Sequence, residues 1–185
     1  RPTCGATSPL AFTDNFATNN YNGATNTQSS TGNELGLAWK EQVGAYTVSG
    51  TGATGAAALN VATINTTQND ATLIASVIIP TNQYFGLVAR YSGSGDSNMY
   101  WGAVGNINGQ YVAVIFKNVG GSWTQLGSFN LGSFAGLIEF DVIGNALTLK
   151  VDNVTRIALT DSSLTSGKSG IRSTATARVT SFSAS

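Results

Sequence analysis

Residues 136–152, GLIEFDVIGNALTLKVD, hold two runs of alternating residues that meet at a two-residue turn. Ile138, Phe140 and Val142 alternate with Glu139 and Asp141. After Gly144-Asn145, Leu147, Leu149 and Val151 alternate with Thr148, Lys150 and Asp152. Period-2 patterning on both sides of such a pair specifies a β-hairpin. A turn of only Gly144 and Asn145 sets Phe140 opposite Leu149 on the apolar face and Glu139 opposite Lys150 on the wet face. One face is core and the other solvent, so the stretch belongs to an antiparallel sheet packed on one side.

The pattern recurs along the chain. Residues 71–79 alternate Leu73, Ala75, Val77 and Ile79 with their neighbours until Pro80 stops them, and 85–91 is apolar on both faces except for Arg90, as a central strand is. Asn108-Gly109 marks a second hairpin between 99–104 and 111–117. Further short strands are expected at 10–16, 35–39, 45–49, 59–63, 123–129, 157–159, 169–172 and 178–182. The tract 19–33 reads as a polar surface loop and 50–55 as a flexible connection. Helical periodicity is absent. These signals predict an all-β, two-sheet antiparallel β-sandwich of the jelly-roll kind, with a single domain over residues 10–185 behind an N-terminal arm, residues 1–9.

Nine basic residues balance nine acidic ones among 185, so nucleic acid and anionic membranes find no electrostatic footprint. No apolar run is long enough to span a bilayer as a helix. Only 10% of residues are charged, against roughly a quarter in an average domain, and Thr, Ser, Asn and Gly must supply the polar surface. That composition suits an extracellular, cell-surface or virion-surface protein. Cys4 is the single cysteine, which rules out a disulfide within the chain and leaves either a partly buried thiol or a bridge between chains. The apolar Leu10 and Phe12 beside the arm add a second route to self-association, with a frayed terminus as the alternative.

The order of several short pieces resembles the concanavalin A-like jelly roll in its laminin-G-like and glucanase-like branch, as found in bacterial secreted and phage tail or virion proteins. They are Asp14-Asn15-Phe16, Leu35-Gly36 with Trp39, Gly44 to Val48, Gly86 to Tyr91, Trp123 to Leu126, Gly144-Asn145 with Leu147 and Val151-Asp152, and Ser166 to Arg172. The resemblance covers about residue 12 to the C-terminus. It implies a fold used mainly for binding glycans or for adhesion, with some catalytic members. Catalytic glucanase members carry a Glu-x-Asp-x-x-Glu pattern on one strand. Glu139-Phe140-Asp141 matches its first half, and Gly144 stands where the second Glu belongs.

Candidate chemistry narrows accordingly. The chain has no histidine, which removes Ser-His-Asp and Cys-His catalysis and the usual transition-metal ligands. Glu139 and Asp141 share the wet face roughly 7 Å apart by strand rise, but a cross-strand Lys150 suits a salt bridge better than a general acid. Calcium needs only oxygens, and Asp14, Asp96, Asp152 and Asp161 are candidate ligands for a structural ion, with isolated solvated aspartates as the alternative. Residues 93–98, GSGDSN, lack the lysine and following helix of a phosphate cradle and read as a plain loop. Aromatic rings are the better handle, because sugars present apolar faces that stack on them while fixed donors and acceptors take the hydroxyls. Arg90, Tyr100, Trp101, Tyr111 and Trp123 lie on consecutive expected strands and would form a glycan platform if they shared one face. The leading expectation is a non-catalytic module for glycan binding or adhesion that uses no cofactor. The alternatives are a structural subunit of an appendage, sheath or capsid or tail assembly, and a glycan-active hydrolase.

Overall fold

The computed structural model describes residues 12–16, 35, 38–50 and 52–185. The expected arm with Cys4 and the polar tract at 19–33 lie outside the described residues. Fifteen strands are described: β1 (Phe12–Asp14), β2 (Trp39–Val43), β3 (Tyr46–Val48), β4 (Ala53–Gly55), β5 (Leu59–Thr67), β6 (Ala71–Ile78), β7 (Gln83–Tyr91), β8 (Met99–Ile107), β9 (Gln110–Val119), β10 (Ser122–Leu131), β11 (Leu137–Ile143), β12 (Ala146–Val151), β13 (Val154–Thr160), β14 (Lys168–Thr174) and β15 (Arg178–Ala184). The seven-stranded sheet runs β10-β9-β8-β7-β14-β5-β2. The eight-stranded sheet runs β13-β12-β11-β6-β15-β4-β3, with β1 paired to β15. Every pairing is antiparallel. The chain is thus an all-β two-sheet sandwich, and no helix occurs among the described residues.

The hairpin β11–β12 has the expected register, with Phe140 opposite Leu149 and Glu139 opposite Lys150. Asn108 and Gly109 both take positive φ in the β8–β9 turn, the conformation that a two-residue hairpin loop of right-twisted strands demands. Two local readings need correction. The connection expected at 50–55 contains β4, because Ser49 N–H donates to the Gly52 carbonyl and closes a hairpin in which Val48 pairs with Ala53. Arg178 on β15 also lies over Gly52, where a side chain would collide with its guanidinium. The strand expected at 35–39 begins instead at Trp39 and runs to Val43, with Leu35 and Ala38 in turns.

The core fills the space between the sheets. Phe85, Leu87, Ala89, Tyr100, Val104, Ala113, Ile115 and Ile171 from the seven-stranded sheet face Leu73, Ala75, Ile138, Phe140, Leu147, Leu149 and Phe182 from the other. At one end Trp39 meets Phe182 and Phe12 edge-on, at 5.0 and 5.6 Å between centroids. Its indole N–H donates to Asp14 Oδ2 at 2.8 Å, while Asp14 Oδ1 accepts the Phe16 N–H at 2.7 Å. Phe140 of one sheet lies against Gly102 on β8 of the other. A Cβ there would stand 2.6 Å from the Phe140 ring, well inside contact distance, so a glycine on one sheet makes room for a ring of the other.

Gly102→Ala should therefore lower stability by about 1–3 kcal/mol through overpacking, read from urea unfolding. Combining it with Phe140→Leu should give a loss smaller than the sum of the two single losses. Strict additivity would show that the close approach is not what sets the sheet spacing.

Candidate functional site

Alternation in an ordinary half-buried sheet leaves polar residues on the solvent side. The eight-stranded sheet follows that rule. Its outer face carries Thr72, Glu139, Asp141, Thr148 and Lys150, and Lys150 bridges both carboxylates at 2.6 and 2.9 Å. The seven-stranded sheet breaks it. Val61, Val88, Tyr91, Met99, Trp101, Ala103 and Val114 form a second buried apolar cluster on its outer face, with Tyr84, Val112, Phe116 and Trp123 partly covering it. Strands β7 and β8 are consequently apolar on both sides.

A missing side chain organises this face. Trp101 pairs across the sheet with Val88 and lies over Gly86, where a Cβ would collide with the indole nitrogen. Tyr84 lies over Gly105 in the same manner. Phe116 and Trp123 then pack against Trp101 and each other at 6.0–6.1 Å between centroids. Arg172, next to Gly86 on β14, enters this ring cluster, its guanidinium carbon 4.4 Å from the Trp101 centroid and 4.7 Å from that of Trp123. Such cation–π contacts strengthen as water is excluded. Asp96, in the β7–β8 loop, grips the same guanidinium with two bonds of 2.7 and 2.8 Å from Nε and Nη2. That fork fixes the plane of the group and leaves Nη1 without a protein acceptor among the described residues.

The five residues expected to form a platform divide between the two faces. Trp101 and Trp123 share the outer face. Arg90, Tyr100 and Tyr111 do not join them. Arg90 is 4% exposed and takes positive φ, and its guanidinium donates to the carbonyls of Asn69, Leu164 and Gly144 and pairs with Asp70, so it ties three loops together. Tyr100 points into the core and donates its hydroxyl to Asp161 at 2.6 Å. Tyr111 packs against the core edge beside Phe134. Sequence reading missed Arg172, Phe116 and Tyr84. Their signal was an outward strand position beside apolar residues that themselves point outward.

The four aspartates considered for calcium do not converge. Asp14 serves Trp39 and Phe16, Asp96 holds Arg172, Asp152 accepts the Ala135 and Leu137 N–H groups, and Asp161 accepts from Tyr100, Lys117 and Ser163. Cations already occupy Asp96 and Asp161, and no group of three or more His, Cys, Asp or Glu side chains is placed to hold a metal among the described residues. This donor set does not fit a structural ion.

No family model matches the chain, and no curated protein sequence does. Solved structures do. The carbohydrate-binding module CBM66 from Bacillus subtilis superposes with a TM-score of 0.64 at 15% identity, over 77% of this chain and 91% of that one. The exoplasmic/lumenal domain of VIP36, in a Ca2+/Man-bound form, gives 0.56 at 9% identity over 85% and 86%. The chain has the concanavalin A-like lectin/glucanase fold. The same fold serves enzymes, since the transglycosylase Crh5, in complex with NAG, gives 0.60 at 14% identity over 94% and 82%.

Beneath the jelly-roll surface, Asp161 offers a test of the internal polar network. Burial works against its charge, but hydrogen bonds from Lys117, Tyr100 and Ser163 outweigh it and hold the carboxyl well below its ordinary value of 3.8. Burial, and then the bond to Asp161, pushes the Tyr100 phenol up to about 12. A carboxylate depressed in the folded state contributes stability that is complete above its unfolded pKa and is lost as pH falls through that value toward the folded one. Thermal melts should therefore drop steeply from about pH 4 downward, and Asp161→Asn should shrink the drop while lowering stability at neutral pH. An identical acid profile in the variant would contradict the network.

Proposed function

We propose that the chain is a non-catalytic glycan-binding module, working outside the cell or on a cell or virion surface, with its ligand laid across the outer face of the seven-stranded sheet. The observation that carries this reading is the Trp101–Arg172–Trp123 stack. An antiparallel sheet has no structural need for rings on its solvent side, and an apolar face rimmed by polar groups is a common mark of a binding surface. Trp123 and Phe116 are part-exposed and offer the flat apolar surface against which a sugar ring stacks. Arg172, held by Asp96, presents its remaining nitrogen as a fixed donor for a hydroxyl, and such preorganised donors supply orientation at little entropic cost. The neighbours of known carbohydrate-binding function support the same reading.

Glu139 and Asp141 favour the non-catalytic form of the proposal. They sit on the outer face of the opposite sheet, away from the rings, and both are bridged by Lys150. A retaining or inverting mechanism needs one carboxyl protonated as a general acid, and a lysine bonded to both opposes that.

A glycan array followed by affinity electrophoresis on the polysaccharides that score tests the proposal. Trp123→Ala and Arg172→Ala should each weaken binding by about fivefold or more, the loss of one stacking or charge-assisted contact, with the strand signal in circular dichroism retained. Binding at parental strength in both folded variants, or no glycan bound at all, would refute it. Release of reducing ends that Glu139→Gln abolishes would place the activity on the other sheet.

A further inference from the structure

Resting on that glycan reading, we infer that the ligand carries an acidic group, a carboxylate or a sulfate ester, and that a pocket at one end of the same sheet face receives it. The pocket has a volume of about 480 Å³, within the usual range of small-ligand sites. Lys40 and Gln42 from β2, Thr67 from β5, Tyr91 from β7 and Lys168 from β14 line it with the polar loops 92–94 and 166–167. It opens on the outer face. Trp39 and Ile64 pair across β2 and β5 and both lie in the core, which turns the next pair, Lys40 and Thr63, outward, and Gln42 Nε2 donates to Thr63 Oγ1 at 2.9 Å.

A charge ledger of the described residues singles this pocket out. Arg90, Lys117, Lys150 and Arg172 pair with carboxylates, Arg156 stacks over Phe129, and Arg178 donates to the Ser49 carbonyl. Lys40 and Lys168 have no such partner among the described residues, and both line one pocket that contains no described carboxylate. The described acids are spent elsewhere. Two like charges thus line one pocket without a counter-charge among the described residues, whereas Arg156 and Arg178, which also lack a carboxylate partner, lie apart from it.

The pocket and the ring cluster share a wall. Tyr91 belongs to the apolar cluster and lines the pocket, and its hydroxyl donates to the Gly95 carbonyl at 2.8 Å. The loop thereby held contributes Ser92, Gly93 and Ser94 to the pocket and Asp96 to Arg172. The bulge in β14 between Lys168 and Gly170 interrupts its register with both neighbours, a device that re-aims side chains at sheet ends. An acidic sugar in the pocket would continue onto the rings through neutral neighbours.

Matched polymers test this. Polygalacturonate against its carboxyl-reduced form probes the carboxylate, and chondroitin sulfate against its desulfated form probes the sulfate. The parent should bind at least one acidic polymer about tenfold or more tighter than its matched partner, as a charge-assisted contact predicts. The double variant Lys40→Gln/Lys168→Gln should lose that preference while keeping parental affinity for the partner polymer, and Lys40→Arg/Lys168→Arg should restore it. Equal affinity for matched polymers, or a preference that survives the double Gln variant, would overturn the inference and leave the aromatic platform standing. Single-stranded DNA bound as tightly as the acidic glycan would overturn it too, by showing charge without shape. Failure of every polymer to bind would remove the glycan reading with it.

Discussion

The outer face depends on Gly86 having no side chain. With that space open, Trp101 lies flat across β7 instead of standing into solvent, and only a flat indole offers the surface on which the Arg172 guanidinium rests. Trp123 closes the stack from the next strand but one, and Asp96 locks the guanidinium by its edge. An arginine this covered is 13% exposed and would be costly to bury unpaired. The forked carboxylate and the two ring faces offset that cost from three directions. One backbone position thus decides whether the sheet has a plain or an aromatic surface.

The opposite faces of the sandwich show what this arrangement costs in ordinary terms. On the eight-stranded sheet a lysine bridges two acids near the surface, a contact of small energetic value that is easily exchanged for water. On the seven-stranded sheet similar chemistry is enclosed by rings and becomes rigid. Local dielectric separates them, since a desolvated charge pair is stronger and less forgiving than an exposed one.

Much of the architecture was legible because strand faces repeat every two residues. Gly144-Asn145 and Asn108-Gly109 set two hairpins in register, and the resemblance in the order of short motifs pointed to the right jelly roll. The site was less legible. Alternation tells which side of a strand a residue occupies but not whether that side is core or surface, so which of Tyr100 and Trp101, neighbours on opposite sides of β8, enters the core could not be assigned without the sheet order. Arg90 looked free in an apolar strand, yet three backbone carbonyls from separate loops take its donors. Arg172 lay in the unremarkable run Ser169-Gly170-Ile171-Arg172, and nothing local signals that two tryptophans from strands far earlier in the chain close around it. β4 was not expected because the three glycines of residues 50–55 suggest looseness, whereas Gly52 is small to make room for Arg178.

The absence of net charge gives the two lysines of the pocket a particular reach. Around a strongly cationic protein the field extends far enough to gather anions before contact and to speed their arrival. Here opposite charges cancel at a distance, and the local excess is screened beyond about 8 Å at physiological salt. An acidic chain would meet this surface at the ordinary diffusive rate and be sorted only after touching it. Discrimination would then reside in how slowly the right polymer leaves, not in how fast it arrives.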